Sequence, residues 1–195
     1  MFAKRRKIKG LIGYFKLDDW WNNELSDQER NQILAVSNKS ELLEENILSS
    51  GETKAQFLLN LAYSLDSNGF KNLAYKILEK AEQSLTNDPI EKHFFYHAAA
   101  EIFYHNSSND PESLQKTIEA CYKQIEISDK VIKPMLNDFG CLPKHTGYER
   151  LCIIFHIQGK YEEVINLAIK AKQQGWAGTW DNRIKRAENK LKKSQ

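Results

Sequence analysis

Four polar residues that could take part in metal or acid–base chemistry recur at intervals of four in the middle of the chain: His93, His97, Glu101 and His105. Residues four apart lie on the same side of a helix, so His93, His97 and Glu101 could ligate one metal ion in a metal-dependent hydrolase. However, the H-E-x-x-H arrangement of zinc hydrolases is absent. We therefore favour a polar helix face that lines a groove.

A second series combines thiol and imidazole side chains: Cys141, His145, Cys152 and His156. Its C-x3-H-x6-C-x3-H spacing does not match a common zinc module, and Cys152 falls at a position that a helix needs for packing. The chain also has no nucleophile elbow, no glycine-rich phosphate loop and no catalytic cysteine signature. We therefore predict a protein without catalytic activity, metal or cofactor.

The clearest structural elements are two amphipathic helices within residues 146–176, joined by a turn at Gly159. Thr146 and Glu149 fit a capping box that would begin the first helix. The apolar stripes are Tyr148, Leu151, Cys152 and Phe155 on the first helix and Tyr161, Val164, Ile165, Ala168 and Ala171 on the second. Each stripe follows the helical period and needs a partner to cover it.

The same arrangement recurs earlier in the chain. Leu65 and Ala74 are separated by as many residues as Phe155 and Val164, with Gly69 at the corresponding turn. A middle copy carries Tyr96, Ala99, Ala100 and Phe103 on its first helix and Leu114, Ile118 and Cys121 on its second. The sequence therefore predicts three helical hairpins in one register.

This register resembles the tetratricopeptide repeat, in which aromatic, leucine and small residues alternate on two packed helices. The resemblance covers residues 53–176 in three divergent copies and implies an all-α fold, a TPR-like solenoid of helical hairpins. We expect a C-terminal capping helix on Trp180, Ile184 and Ala187. Residues 1–52, an aromatic lead-in with short helices, are expected to pack on residues 53–195 as part of a single compact domain.

The resemblance also implies a partner-binding surface, because the first helices of such repeats line a concave face. Carried over by register, the expected partner-binding residues are Tyr63, Asp66, Phe94, His97, Glu101, Tyr104, Glu149 and His156. Aromatic and acidic side chains favour a ligand with apolar and basic character. The leading hypothesis is a protein–protein or peptide adaptor. The alternative for these residues is that they face solvent or pack against the N-terminal segment.

A competing hypothesis comes from the basic ends of a chain whose net charge is only +2. The cations that could grip phosphates are Lys4, Arg5, Arg6 and Lys7 at the N-terminus and Arg183 and Arg186 near the C-terminus. Clustered cations are typical of nucleic-acid-binding proteins, although they also occur as solubilising termini. A nucleic-acid-associated regulator is therefore the second hypothesis.

The composition of the chain indicates the class of protein and its compartment. Hydrophobic residues make up 41% and charged residues 28% of the 195 residues, and the apolar runs are too short to cross a bilayer. The N-terminus lacks the apolar segment of a signal peptide, and three widely spaced cysteines fit a reducing compartment. These features predict a cytoplasmic protein with no membrane attachment.

Overall fold

The computed structural model describes residues 8–194, except for the side chains of Asn109 and Ser194. These residues form helices and no β-strand, apart from one isolated bridge between Lys144 and Ala177. The predicted all-α class is confirmed. None of these helices combines the length and the apolar character that a membrane span requires.

The chain divides into two compact units, one ending at Leu85 and the other beginning at Thr86. This division differs from the boundary after residue 52, where the sequence pattern changes. The reason is that the N-terminal segment packs on the first helix pair: the ring of Phe15 stacks on that of Phe57, with 5.1 Å between their centroids.

The described part of the first unit contains five α-helices and one turn of π-helix. They are α1 (Gly10–Tyr14), the π-helical turn (Trp20–Glu24), α2 (Asp27–Val36), α3 (Lys39–Leu43), α4 (Lys54–Ser67) and α5 (Lys71–Glu82). Helices α4 and α5 form a hairpin, α1 packs on α3, and α2 packs on α4. Gly69 forms the hairpin turn with φ +81°, a conformation that glycine adopts without steric cost.

The start of α2 follows directly from its sequence. Ser26 and Glu29 form the expected capping box, in which each side chain accepts a hydrogen bond from the backbone N–H of the other residue. Helix α3 ends at Leu43, and two residues further on the Glu45 carbonyl accepts a hydrogen bond from Gly10 N of α1 at 2.7 Å.

The aromatic lead-in belongs to the core of the first unit. Trp20 and Trp21 are only 3% and 5% exposed, so they cannot form an exposed anchor for a partner. The Asp18 carboxylate accepts a hydrogen bond from the backbone N–H of Ile8 at 3.0 Å, which ties the start of the described chain to this core.

Up to residue 194, the second unit contains six α-helices and a short 3₁₀ turn. They are α6 (Pro89–His105), the 3₁₀ turn (Ser107–Asn109), α7 (Pro111–Glu126), α8 (Ser128–Phe139), α9 (Thr146–Ile157), α10 (Tyr161–Gln173) and α11 (Trp180–Ser194). Helix α6 pairs with α7, α9 with α10, and α10 with α11, while α7 also packs on α9. Helices therefore pack in pairs in this unit, as they do in the first.

Helix α9 begins differently from the prediction. His145, not Thr146, is the N-cap residue, and its Nδ1 accepts a long hydrogen bond from Tyr148 N at 3.4 Å. The expected capping box of Thr146 and Glu149 is therefore wrong. The Thr146 hydroxyl lies instead 2.6 Å from Nδ1 of His97 on α6, so a contact between helices replaces the local cap.

Glycine allows α9 to approach α7 closely. A Cβ atom at Gly147 would lie only 2.7 Å from the carbonyl oxygen of Cys121 and 3.1 Å from Oε1 of Gln124. The backbone N–H of Gly147 donates a hydrogen bond to that same Gln124 oxygen at 2.7 Å. This contact fixes the position of α9, which carries several of the candidate site residues.

Candidate partner-binding site

The predicted partner-binding residues are divided between the two units. Tyr63 and Asp66 lie on α4 of the first unit, where the Tyr63 side chain is 63% exposed. The other six lie on α6 and α9 of the second unit: Phe94, His97, Glu101, Tyr104, Glu149 and His156.

Three of the side chains that join α6 and α9 form one cluster. Arg150 on α9 donates hydrogen bonds to both carboxylate oxygens of Glu101, at 2.8 and 2.6 Å. The guanidinium of Arg150 also lies over the ring of Tyr104, 4.3 Å from its centroid. This bidentate ion pair with a cation–π contact orients Glu101 and Tyr104, which are both half-buried.

The acidic charge of this surface is already matched by cations of the same unit. Glu101 faces Arg150, and Glu149 lies 3.6 Å from the guanidinium of Arg183 on α11. The sequence suggested that both carboxylates would attract a basic ligand. Their guanidinium neighbours leave less acidic charge for such a ligand than the sequence indicated.

The remaining residues of the set keep some exposure. Phe94 is 42% exposed and His97 is also exposed, both on α6. His156 on α9 is half-buried and packs edge-on against Tyr161, with ring centroids 5.3 Å apart.

A pocket of about 200 Å³ lies between α9, α10 and α11. It is lined by Cys152, Ile153, His156, Ile157, Val164, Arg183 and Arg186. The pocket thus combines a residue of the predicted peptide site, His156, with the two C-terminal arginines of the nucleic-acid hypothesis. The N-terminal cations of that hypothesis, Lys4, Arg5, Arg6 and Lys7, lie outside the described residues.

The two arginines of the pocket have few polar partners. Within residues 8–194 neither guanidinium makes a hydrogen bond, and Arg183 Nε is buried without an acceptor. The 3.6 Å contact from Arg183 to Glu149 is too long for a hydrogen bond. Arg186 is exposed and has no ion pair to any described residue. The pocket therefore presents two cationic groups. Arg183 has an ion pair with Glu149 and lies over the ring of Trp180, 5.9 Å from its centroid, whereas Arg186 has no hydrogen-bond partner among the described residues.

The pocket also has an apolar wall, which is partly exposed. Ile157, the last residue of α9, is 78% exposed, whereas its neighbours Cys152 and Val164 are buried. Apolar side chains next to unused cationic donors suit a ligand that has both an apolar and an anionic part.

A second polar cluster lies inside the unit and has a structural explanation. His93 and His145 are 3% and 0% exposed, and their ring centroids are 5.1 Å apart. Trp176 stacks on His93 and packs edge-on against His145. Gln124 holds α6 and α9 together, because its amide nitrogen contacts His93 Nε2 at 3.2 Å and its oxygen accepts from Gly147 N.

Both buried histidines are held in the neutral form. Burial lowers the pKa of His93 to about 4, with a smaller contribution from the nearby His97. Burial likewise lowers the pKa of His145 to about 3, with a smaller contribution from His93. His93 Nδ1 and His145 Nε2 have no hydrogen-bond partner among the described residues.

The metal hypothesis finds no support in this arrangement. No group of three or more His, Cys, Asp or Glu side chains within residues 8–194 is placed to hold a metal ion. His93 is buried against Trp176, and Glu101 is engaged by Arg150.

Cys121 and Cys152 likewise lack the environment of a nucleophile. Burial raises the pKa of Cys121 to about 12 and that of Cys152 to about 11, so both remain thiols at neutral pH. Cys152 packs in the α9–α10 hairpin, with its Sγ 3.8 Å from the carbonyl oxygen of Val164. Cys141 is exposed.

Sequence reasoning missed Gln174 as an organising residue. Its side-chain oxygen accepts hydrogen bonds from the Tyr148 hydroxyl at 2.8 Å and from Trp176 Nε1 at 3.0 Å. Its amide nitrogen donates to Ser128 Oγ and Asp129 Oδ1. No sequence motif marks this residue, because three of its four partners, Tyr148, Ser128 and Asp129, are distant in the chain.

The fold and the pocket define an all-helical protein built from packed helix pairs, with a cation-lined apolar pocket beside its last helix. No family model, curated protein or solved structure matches the chain.

Proposed function

We propose that this protein is a non-catalytic interaction module, which binds a peptide segment of a partner protein on the α9–α11 side of its second unit. The pocket between α9, α10 and α11 is the observation on which this proposal depends. Ile157 in the apolar wall of the pocket is 78% exposed, and Arg186 beside it has no ion pair with any described residue, so both side chains are accessible to a partner.

The proposal includes a tetratricopeptide-like arrangement of the hairpins. Its support is that equivalent positions behave alike: Leu65 and Ala74 are buried around Gly69, as Phe155 and Val164 are around Gly159. Both glycines have positive φ values, +81° and +75°. In such an arrangement α9 is the first helix of the last repeat and α11 is the capping helix beside it.

A peptide fits the pocket better than a nucleic acid does. The pocket contributes only two arginines, and one of them already pairs with Glu149, whereas a nucleic-acid backbone is usually held by a longer row of cations. Single-stranded nucleic acids also bind by stacking their bases on aromatic side chains, and His156 is the only ring in the pocket lining. We propose that the protein acts in this way in the cytoplasm.

Affinity capture tests the proposal. The tagged protein is expressed in its native cell, and co-purifying proteins are compared with those captured by Ile157→Glu, which places a charge in the apolar wall of the pocket. The matched control is Leu48→Glu, an equally drastic change at an 86% exposed leucine of the first unit.

We expect a partner that is captured by the natural protein and by Leu48→Glu but lost with Ile157→Glu. Both variants should keep the natural unfolding midpoint, since both side chains are exposed. A partner that is retained by Ile157→Glu and lost with Leu48→Glu would place binding on the first unit and contradict the proposal.

A further inference from the structure

We infer that the pocket recognises an acidic, apolar peptide motif, in which an aliphatic side chain is followed closely by an aspartate or glutamate. This inference rests on the proposed function and specifies the chemistry of its partner. The aliphatic side chain would fill the space between Ile153 and Ile157, and the carboxylate would accept hydrogen bonds from Arg186 and Arg183.

The size of the pocket selects a side chain rather than a whole small molecule. Its volume of about 200 Å³ is below the roughly 300–1,000 Å³ that is typical of small-molecule sites. Cys152, Ile153, Ile157 and Val164 give it apolar walls. One aliphatic residue of a peptide would thus bury its surface there while the peptide backbone stays outside.

The charges around the pocket favour a carboxylate. Two guanidinium groups line the pocket, but the carboxylate of Glu149 faces Arg183 alone, so Arg186 keeps a positive charge with no ion-pair partner among the described residues. Arg186 has all its donors free within the described chain. Because a guanidinium binds a carboxylate with two parallel hydrogen bonds, a single acidic side chain can satisfy Arg186.

Fluorescence anisotropy with short labelled peptides tests this inference. The probe carries one leucine followed by two glutamates among serine and glycine residues, and it is amidated at its C-terminus so that no terminal carboxylate is present. Comparison peptides replace the glutamates by glutamine, replace the leucine by serine, or replace the glutamates by lysine. A fluorescent single-stranded oligonucleotide of mixed sequence is titrated in parallel.

Two variants on α11 provide the matched comparison. Arg186→Glu reverses a charge that lines the pocket, whereas Lys185→Glu reverses an exposed charge on the same helix that does not line it. We expect the acidic leucine peptide to bind, and Arg186→Glu to weaken binding by at least about tenfold. Lys185→Glu should change affinity by less than about threefold, because this exposed charge does not line the pocket and is screened by moderate salt.

Several outcomes would overturn the inference. Equal binding of the glutamine peptide would show that the carboxylate is not recognised, and equal binding of the serine peptide would show that the apolar pocket is not used. Equal weakening by Arg186→Glu and Lys185→Glu would indicate a general charge effect. Binding of the oligonucleotide alone, with a steep dependence on salt, would favour the nucleic-acid hypothesis.

The failure of this inference is distinguishable from the failure of the proposed function. If a partner is captured and lost with Ile157→Glu but no acidic peptide binds, the pocket is a partner site of different chemistry. If the capture experiment also fails, neither proposal holds.

Discussion

Arg150 of α9 binds both carboxylate oxygens of Glu101 on α6, from Nε at 2.8 Å and from a terminal guanidinium nitrogen at 2.6 Å. The hydrogen bond to Glu101 is also the main cause that raises the pKa of Arg150. The pair therefore joins α6 and α9, the first helices of two helix pairs within the second unit.

Breaking this pair should destabilise the second unit. We expect Arg150→Ala to lower the free energy of unfolding by about 1–2 kcal/mol, because it removes a bidentate, partly buried ion pair and the contact with Tyr104. Urea unfolding measures the change. Lys172→Ala is the control: Lys172 pairs with Asp181 at 2.6 Å, but these side chains are 55% and 75% exposed, so the loss should stay below about 0.5 kcal/mol. Equal losses in the two variants would contradict the central role of Arg150.

Stability should fall as the solution is acidified. The unfolded chain protonates His93 and His145 near their ordinary pKa of 6.5, whereas the folded chain does so only near 4 and 3. Between these values the unfolded state binds more protons, so each histidine lowers the free energy of unfolding by up to about 1.4 kcal/mol per pH unit. Above pH 6.5 this effect is absent.

The variant His145→Asn isolates that contribution, because asparagine can also cap α9 but does not titrate. Unfolding free energies are measured for both proteins from pH 7 to pH 4. We expect a shallower decline with falling pH for His145→Asn, whatever its stability at pH 7. Parallel curves for the two proteins would show that His145 is not held neutral by burial.

Removing the polar end of the Gln174 side chain should lower the free energy of unfolding. Gln174→Leu leaves the hydroxyl of Tyr148 and the indole N–H of Trp176 without their acceptor, so we expect a loss of about 2–3 kcal/mol in unfolding free energy. The same substitution at the neighbouring exposed Gln173 is the control, and it should change stability by less than about 0.5 kcal/mol. Thermal unfolding of the two variants gives the comparison. A mild effect at Gln174 would mean that water replaces its hydrogen bonds.

The close approach of α9 to α7 depends on the lack of a side chain at Gly147. Gly147→Ala places a methyl group 2.7 Å from the Cys121 carbonyl oxygen, so we expect a loss of at least about 1–3 kcal/mol, although alanine favours helices. Gly51→Ala, which meets nothing within 4 Å, should be neutral within about 0.5 kcal/mol. A stabilised Gly147→Ala protein, measured by chemical denaturation, would contradict this packing.

The helical period was sufficient to predict the fold class and the hairpins. Leu65, Ala74, Phe155 and Val164 are all buried, because the apolar stripe of an amphipathic helix is removed from water by packing against the core. The start of α9 was mispredicted for a tertiary reason: Thr146 has the sequence of a cap, but its hydroxyl contacts His97, which lies far away in the chain.

The candidate site was predictable only in part. Sequence register identified His156, and charge clustering identified Arg183 and Arg186, but nothing in the sequence placed them around one pocket. That arrangement depends on how α11 packs beside α9, which local patterns do not specify. The pairing of Glu101 with Arg150 was missed for the same reason, since Arg150 lies next to the register positions rather than on one of them.

The most direct test of the central claim is site-specific photo-crosslinking in the native cell. A photoreactive amino acid replaces Ile157 in the pocket or, in a separate protein, Phe139, an exposed aromatic residue at the end of α8. We expect a partner that is crosslinked from position 157 but not from position 139, and that is no longer crosslinked when Arg186→Glu is added. A partner crosslinked from position 139 and not from position 157 would contradict the central claim.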